Sequence, residues 1–232
     1  MHIISIIRKM WQKELRKNKK VTNKYELGYS TQVTCVEYFD KGKYCVQLDS
    51  GEHLILYRSE LHQLDLKEGT VLEQEEYHNI LTQIIGKRAK KRALHLLEKR
   101  DLTEKELRDK LSNGQYPACC VEDAIAYVYQ YHYLDDYRYA LNYIEYRKER
   151  YSRLQLQNKL LTKGVSKDVI RSALEEVYIE DESKNIRAIL EKKRFSKEDS
   201  DPATCRKIYQ YLLRRGYKSS DILREMDTQD IV

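Results

Sequence analysis

The chain has 232 residues, 43 Lys plus Arg against 37 Asp plus Glu, and a formal net charge of +6. Eight glycines and two prolines leave few helix breakers, which points to a mainly helical protein. With 41% hydrophobic residues, the composition excludes collagen-like, loop-rich disulfide and wholly disordered chains, and no apolar run is long enough for a membrane-spanning helix.

The charge is unevenly placed. Residues 1–24 hold eight lysines and arginines against Glu14, a net +7, so the remainder sums to −1. This basic arm reads either as a polyanion-binding segment or as a disordered leader. Its short apolar patch precedes the basic residues, the reverse of a signal peptide. The five cysteines show no CxxC spacing and are odd in number, which suggests reduced thiols and a cytoplasmic setting. Cys35 and Cys45 are expected on opposite faces of a hairpin with a two-residue loop. Twenty tyrosines against two phenylalanines and one tryptophan suit thin modules, where a core ring lies close to water and its hydroxyl needs a polar contact.

Residues 25–72 read as a small β module. Residues 31–39, 44–48 and 53–57 are β-rich and separated by the tight turns Asp40-Lys41-Gly42-Lys43 and Asp49-Ser50-Gly51-Glu52, which gives a three-stranded meander. Residues 58–63 form one or two helical turns. After Val71-Leu72 the hydrophobic period becomes 3.6 and stays so to the end.

From about residue 87 a unit of three helices repeats, preceded by a linker helix. In the first copy, within 73–133, Thr103 and Glu106 make a capping box, Leu107 and Leu111 stripe the middle helix, and Gly114 ends it. In the second, 134–180, a first helix over about 136–150 carries Tyr137, Ala140, Leu141 and Ile144, Ser152 caps the middle helix, Lys163-Gly164 ends it, and Ser166 caps the third. In the third, 181–232, Pro202 stands near the start of the middle helix, Arg215-Gly216 ends it, and Ser219 or Ser220 caps the last helix. Gly114, Gly164 and Gly216 are 50 and 52 residues apart. The predicted fold is therefore mainly α, a tandem array of three three-helix repeats forming an elongated, curved solenoid behind the β meander.

The run Tyr133-Leu134-Asp135-Asp136-Tyr137-Arg138-Tyr139-Ala140 resembles the hallmark of the RecX regulatory proteins. The stretches Leu102 to Leu111 and Leu160 to Val165 resemble the family in order and spacing. The resemblance implies a cytoplasmic regulator without catalytic activity that binds the RecA recombinase. It implies that the protein lodges in the groove of the RecA filament on DNA and inhibits ATP hydrolysis and strand exchange, and so modulates DNA recombination and repair. The partners implied are RecA and, through its filament, DNA; direct contact with DNA is left open by the resemblance. The chain is expected to be a monomer with no cofactor and no membrane contact.

The alternative reading is a helical-repeat protein that acts directly on single-stranded DNA. No Walker loop, HExxH, GxGxxG or GxSxG motif and no Cys/His cluster points to catalysis or to a metal. Asp135 fits an N-cap and Asp136 the favourable end of a helix dipole, so the pair does not read as a metal site. The candidate RecA- or DNA-facing residues are Arg88, Lys91, Arg108, Lys110, Arg138, Tyr139, Lys159, Lys163, Arg214 and Arg215. Leu134, Asp135, Asp136, Ala140 and the three repeat glycines are expected to be structural. On the helix over 136–150, Tyr139, Tyr143, Tyr146 and Arg150 form a second stripe, for packing on a neighbouring repeat or for a partner.

Overall fold

A computed structural model of the protein describes residues 30–178 and 182–227. The basic arm 1–24 lies outside the described residues. Two compact units divide between Ile85 and Gly86.

The first unit contains the expected meander. β1 (Thr31–Asp40), β2 (Lys43–Leu48) and β3 (His53–Tyr57) pair antiparallel. Lys41 and Gly42 both take positive φ, 46° and 77°, which gives the hairpin turn a twist that matches its strands. Val33, Val46, Leu48, Leu54 and Leu56 are buried. The sheet has four strands, not three. Its order is β3-β2-β1-β4, with β4 (Val71–Leu72) antiparallel to β1. Two residues cannot show alternation, so this strand had no hydrophobic pattern to reveal it. It is held by backbone bonds, including Val33 N–H to Thr70 O at 2.8 Å and Gly69 N–H to Val33 O at 2.9 Å.

The register also overturns the expectation for the cysteines. Cys35 pairs with Gln47 and Glu37 with Cys45, so both thiols lie on the Glu37 face. An irregularity between Tyr38 and Asp40 shifts the pairing by one residue, and a one-residue shift moves a side chain across the sheet. Both cysteines are free thiols. Two short helices, α1 (Arg58–Gln63) and α2 (Gln74–Asn79), and a π-helical segment, Ile80–Gly86, complete the unit.

The second unit contains nine helices among the described residues. Repeat one is α3 (Lys87–Lys99), α4 (Glu104–Ser112) and α5 (Ala118–Gln130). Repeat two is α6 (Asp136–Glu145), α7 (Arg153–Thr162) and α8 (Lys167–Val177). Repeat three is α9 (Ser183–Lys192), α10 (Pro202–Arg214) and α11 (Ser219–Asp227). In each repeat the first helix packs on the third, and the middle helix leans on the third. Thr103, Ser152 and Ser166 cap as expected, and Asp135 accepts from the amides of Tyr137 and Arg138.

Three local expectations change. α6 stops at Glu145 rather than near 150, because no residue between Ile144 and Ser152 is buried and the chain has nothing to anchor. Ser219 and Ser220 lie within α11, whose first turn bonds to the Lys218 carbonyl. Gly164 and Gly216 close their helices at φ 88° and 85°, but in the first copy Gln115, at φ 61°, takes the left-handed position instead of Gly114.

The reason lies in how the repeats join. The Thr103 hydroxyl accepts from the Glu106 amide at 3.1 Å and donates to the carbonyl of Lys163, the C-cap of the next middle helix, at 2.7 Å. Asp136 accepts from the Glu104 amide at 2.8 Å, so the acid that opens repeat two caps the middle helix of repeat one. The same joint recurs between repeats two and three. The Ser152 hydroxyl donates to the Arg215 carbonyl, and Glu182 accepts from the Arg153 amide at 2.7 Å. A Cβ on Gly164 would run into Lys105, and one on Gly216 would meet Leu154 Cβ at 2.9 Å. Gly114 closes the first copy, with no preceding repeat against it. At the other end, Asp201 caps α10 and Pro202 occupies its first position. Proline has no amide there, so the third repeat requires no acid from a fourth.

Burial pushes the Asp136 carboxyl up to about 6. The charges of Glu104, Asp135 and Glu106 act in the same direction, against the hydrogen bond from the Glu104 amide.

Gly164→Ala should destabilise the protein by about 1–3 kcal/mol in urea unfolding, through both the left-handed backbone and the contact with Lys105. Gly114→Ala should cost clearly less, and equal losses would refute the joint as the cause. Asp136 makes a pH prediction as well. Its folded pKa lies above the unfolded value of 3.8, so the native state holds the proton more tightly and stability falls as pH rises from about 4 to about 6. Asp136→Asn keeps the acceptor oxygen without the titration. Its stability relative to the parent should rise across that window, and parallel pH profiles would show that Asp136 does not drive the slope.

Candidate partner-binding face

The second repeat gathers several candidates. On α6 the rings of Tyr139 and Tyr143 stack with centroids 6.1 Å apart. Lys163, at the C-cap of α7, places its Nζ 5.7 Å from the first ring and 5.8 Å from the second. The guanidinium of Arg147 lies 4.1 Å from the Tyr143 centroid, and Lys159 Nζ lies 4.7 Å from that of Tyr151. An open cleft of about 540 Å³ runs along this side, lined by Lys105, Glu106, Asp109, Tyr143, Lys159, Thr162 and Lys163. Three lysines and two carboxylates meet there, so its surface is mixed in sign but cationic in sum.

Lys163 has a structural duty as well. Its ammonium donates to Glu106 at 2.8 Å across the joint. Burial disfavours the Glu106 charge, but the hydrogen bonds from Lys163 and from the Thr103 amide outweigh it and hold the carboxyl below its usual range. In the second joint, Gln155 stands where Glu106 stands in the first, and Arg215 where Lys163 stands. Among the described residues, Arg215 therefore makes no ion pair like that of Lys163. Its guanidinium lies 5.3 Å from the Tyr211 centroid, and Lys193 Nζ lies 4.1 Å from the same ring. Two cations share one tyrosine, and a cation over a ring keeps its charge available to an anion.

The remaining candidates separate. Arg108 is committed within repeat one, bonded to Glu104 at 2.7 Å and to Glu122. Arg88 lies on α3 close to the Cys120 thiol. Lys91, Lys110, Arg138 and Arg214 are exposed. Leu134 and Ala140 are buried, as befits motif residues that pack.

The sequence reading did not single out Lys105, Arg147, Tyr151, Lys193 or Tyr211. The spacing i, i+4 links Tyr143 to Arg147 and Tyr211 to Arg215, so those two pairs were open to detection. Lys193 over Tyr211 and Lys105 beside α7 exist only through packing. Among the described residues, no group of three or more His, Cys, Asp or Glu is arranged to hold a metal ion, and no helix is long and apolar enough to cross a membrane.

Comparison with known proteins agrees with this repeat structure. Residues 89–127, 135–174 and 180–226 match the first, second and third three-helix domains of RecX. The regulatory protein RecX of Caldanaerobacter subterraneus subsp. tengcongensis is 32% identical over 188 residues, covering 80% of this chain and 92% of that protein. The RecX of Clostridium perfringens strain SM101 is 31% identical over 160 residues, covering 68% and 76%. Two crystal structures share the fold. One, of a regulatory protein RecX, aligns at a TM-score of 0.59 and 24% identity over 85% of this chain and 99% of its own. The other, of RecX from Lactobacillus salivarius, aligns at 0.58 and 21% over 64% and 98%. By its three consecutive domains and its near-full-length relatives, this chain belongs to the RecX family of regulatory proteins.

Proposed function

We propose that this protein regulates the RecA recombinase by binding RecA on DNA, lodging in the groove of its filament and inhibiting ATP hydrolysis and strand exchange. Membership of a regulatory family sets the class of function. The observation that carries the reading to a surface is that the cation closing the middle helix lies over tyrosine in two successive repeats: Lys163 over Tyr139 and Tyr143 of the first helix, and Arg215, with Lys193, over Tyr211 of the middle helix itself. Cations at equivalent positions on successive repeats suit a periodic, negatively charged partner, which a nucleoprotein filament is. One repeat engages one filament subunit and the next reaches a neighbour, so bound protein hinders subunit addition and the conformational change coupled to ATP turnover. The protein works in the cytoplasm, as a monomer, and its partner supplies the chemistry.

Purified protein should lower the DNA-dependent ATPase of RecA at substoichiometric amounts, and no effect at a several-fold excess would sink the RecA reading. The face can be tested separately with Lys159→Glu combined with Arg214→Glu, two exposed positions away from the joint hydrogen bonds. The half-inhibitory concentration should rise by about tenfold while the circular dichroism spectrum stays that of the parent. Full inhibition by the double variant would place RecA on another surface.

A further inference from the structure

Repeat one carries a second aromatic feature, apart from the cleft. Tyr127 and Tyr131, one turn apart at the end of α5, have ring centroids 4.8 Å apart at an interplanar angle of 50°. Tyr131 and Tyr133 follow at 6.4 Å and 31°. Between them His132 adopts φ 58°, a left-handed conformation that histidine enters more readily than most residues. The chain therefore turns back after α5, with the Tyr133 amide on the Val128 carbonyl at 2.9 Å, and the third ring falls in line with the second. This ladder is not core. Tyr131 and Tyr133 are each 53% exposed, whereas Tyr129 turns inward and bonds Glu104.

The charge beside the ladder points to its occupant. α3 packs against α5 and carries Lys90, with Lys87 and Lys91 on the same side of the helix. Lys90 Nζ lies 5.8 Å from the Tyr127 centroid. Among the described residues, none of these three cations makes an ion pair, and Asp123, one turn before Tyr127, offsets one of them at most. Open ring faces beside unneutralised cations are what single-stranded nucleic acid requires: bases stack on the rings and phosphates meet the lysines. A duplex offers phosphates but hides its base faces. An acidic peptide would satisfy the cations and leave the rings without a purpose.

We propose that Tyr131 and Tyr133 form a base-stacking shelf that, with Lys90 and its neighbours Lys87 and Lys91, binds single-stranded nucleic acid without RecA. This goes beyond the RecA reading and is independent of it.

The test measures fluorescence anisotropy of the full chain with labelled oligothymidylate, an abasic oligonucleotide of equal length and a duplex, in the absence of RecA. Oligothymidylate should bind several-fold more tightly than the other two. Tyr131→Ala with Tyr133→Ala should weaken that binding by about tenfold or more and leave abasic binding unchanged. Tyr131→Phe with Tyr133→Phe should retain it, since the ring and not the hydroxyl does the stacking. Both tyrosines are exposed, so the variants should fold, which circular dichroism checks. Equal affinity for the thymidylate and abasic strands, or an alanine variant that binds like the parent, would overturn the shelf whatever the RecA assay shows.

Discussion

Thr103 and Ser152 are fully buried hydroxyls, and each does two things at once. Each caps its own helix by accepting from a backbone amide, and each donates to the last carbonyl of the next middle helix. A three-helix unit of some forty to fifty residues cannot bury a full core, so it must stack on a neighbour. Stacking buries helix ends, and helix ends hold backbone groups without partners inside the helix. The hydroxyl and the acid of the following repeat supply those partners. Removing either would leave a buried backbone group unsatisfied, at about 1–3 kcal/mol. No buried side-chain nitrogen or oxygen among the described residues lacks a hydrogen bond.

The other features of the joint follow from this geometry. A carbonyl can approach the preceding helix that closely only if the residue after it has no Cβ, which is why Gly164 and Gly216 are glycine. With Pro202 at the first position of α10, the middle helix of the third repeat has no amide there for a following acid to cap.

The tyrosine surplus has the same origin. Units this thin place aromatic rings near water, and the rings serve by their hydroxyls or by their faces. Tyr129, Tyr137 and Tyr178 reach Glu104, Glu176 and the Lys148 and Tyr151 carbonyls, and so join helices. Tyr139, Tyr143, Tyr151 and Tyr211 instead hold cations over their rings. The cations divide likewise. Lys163 is paired with Glu106, whereas Arg215, with Gln155 in the matching position, makes no ion pair among the described residues. Two joints of one design thus present different charge to a partner.

Much of this architecture was legible in the sequence because it is local. A capping box spans three residues, an apolar stripe repeats every three or four, and a glycine after a basic residue ends a helix, so the three repeats, their caps and the family resemblance needed no structure. Other features rest on residues far apart in the chain. Thr103 meets the Lys163 carbonyl 60 residues on, and Asp136 caps a helix 32 residues back. No spacing rule reaches across such distances, so Asp136 read only as a charge at its own helix end. The fourth strand and the shared face of Cys35 and Cys45 stayed hidden because backbone pairing and a one-residue shift of register leave no hydrophobic pattern. The sequence by itself determined how many units the chain builds and, through local caps and glycines, where most of their helices lie. Only stacking decided which acid caps which helix, which glycine must be glycine and which cations remain free to meet a partner, because each of these depends on what the neighbouring repeat brings within a few ångströms.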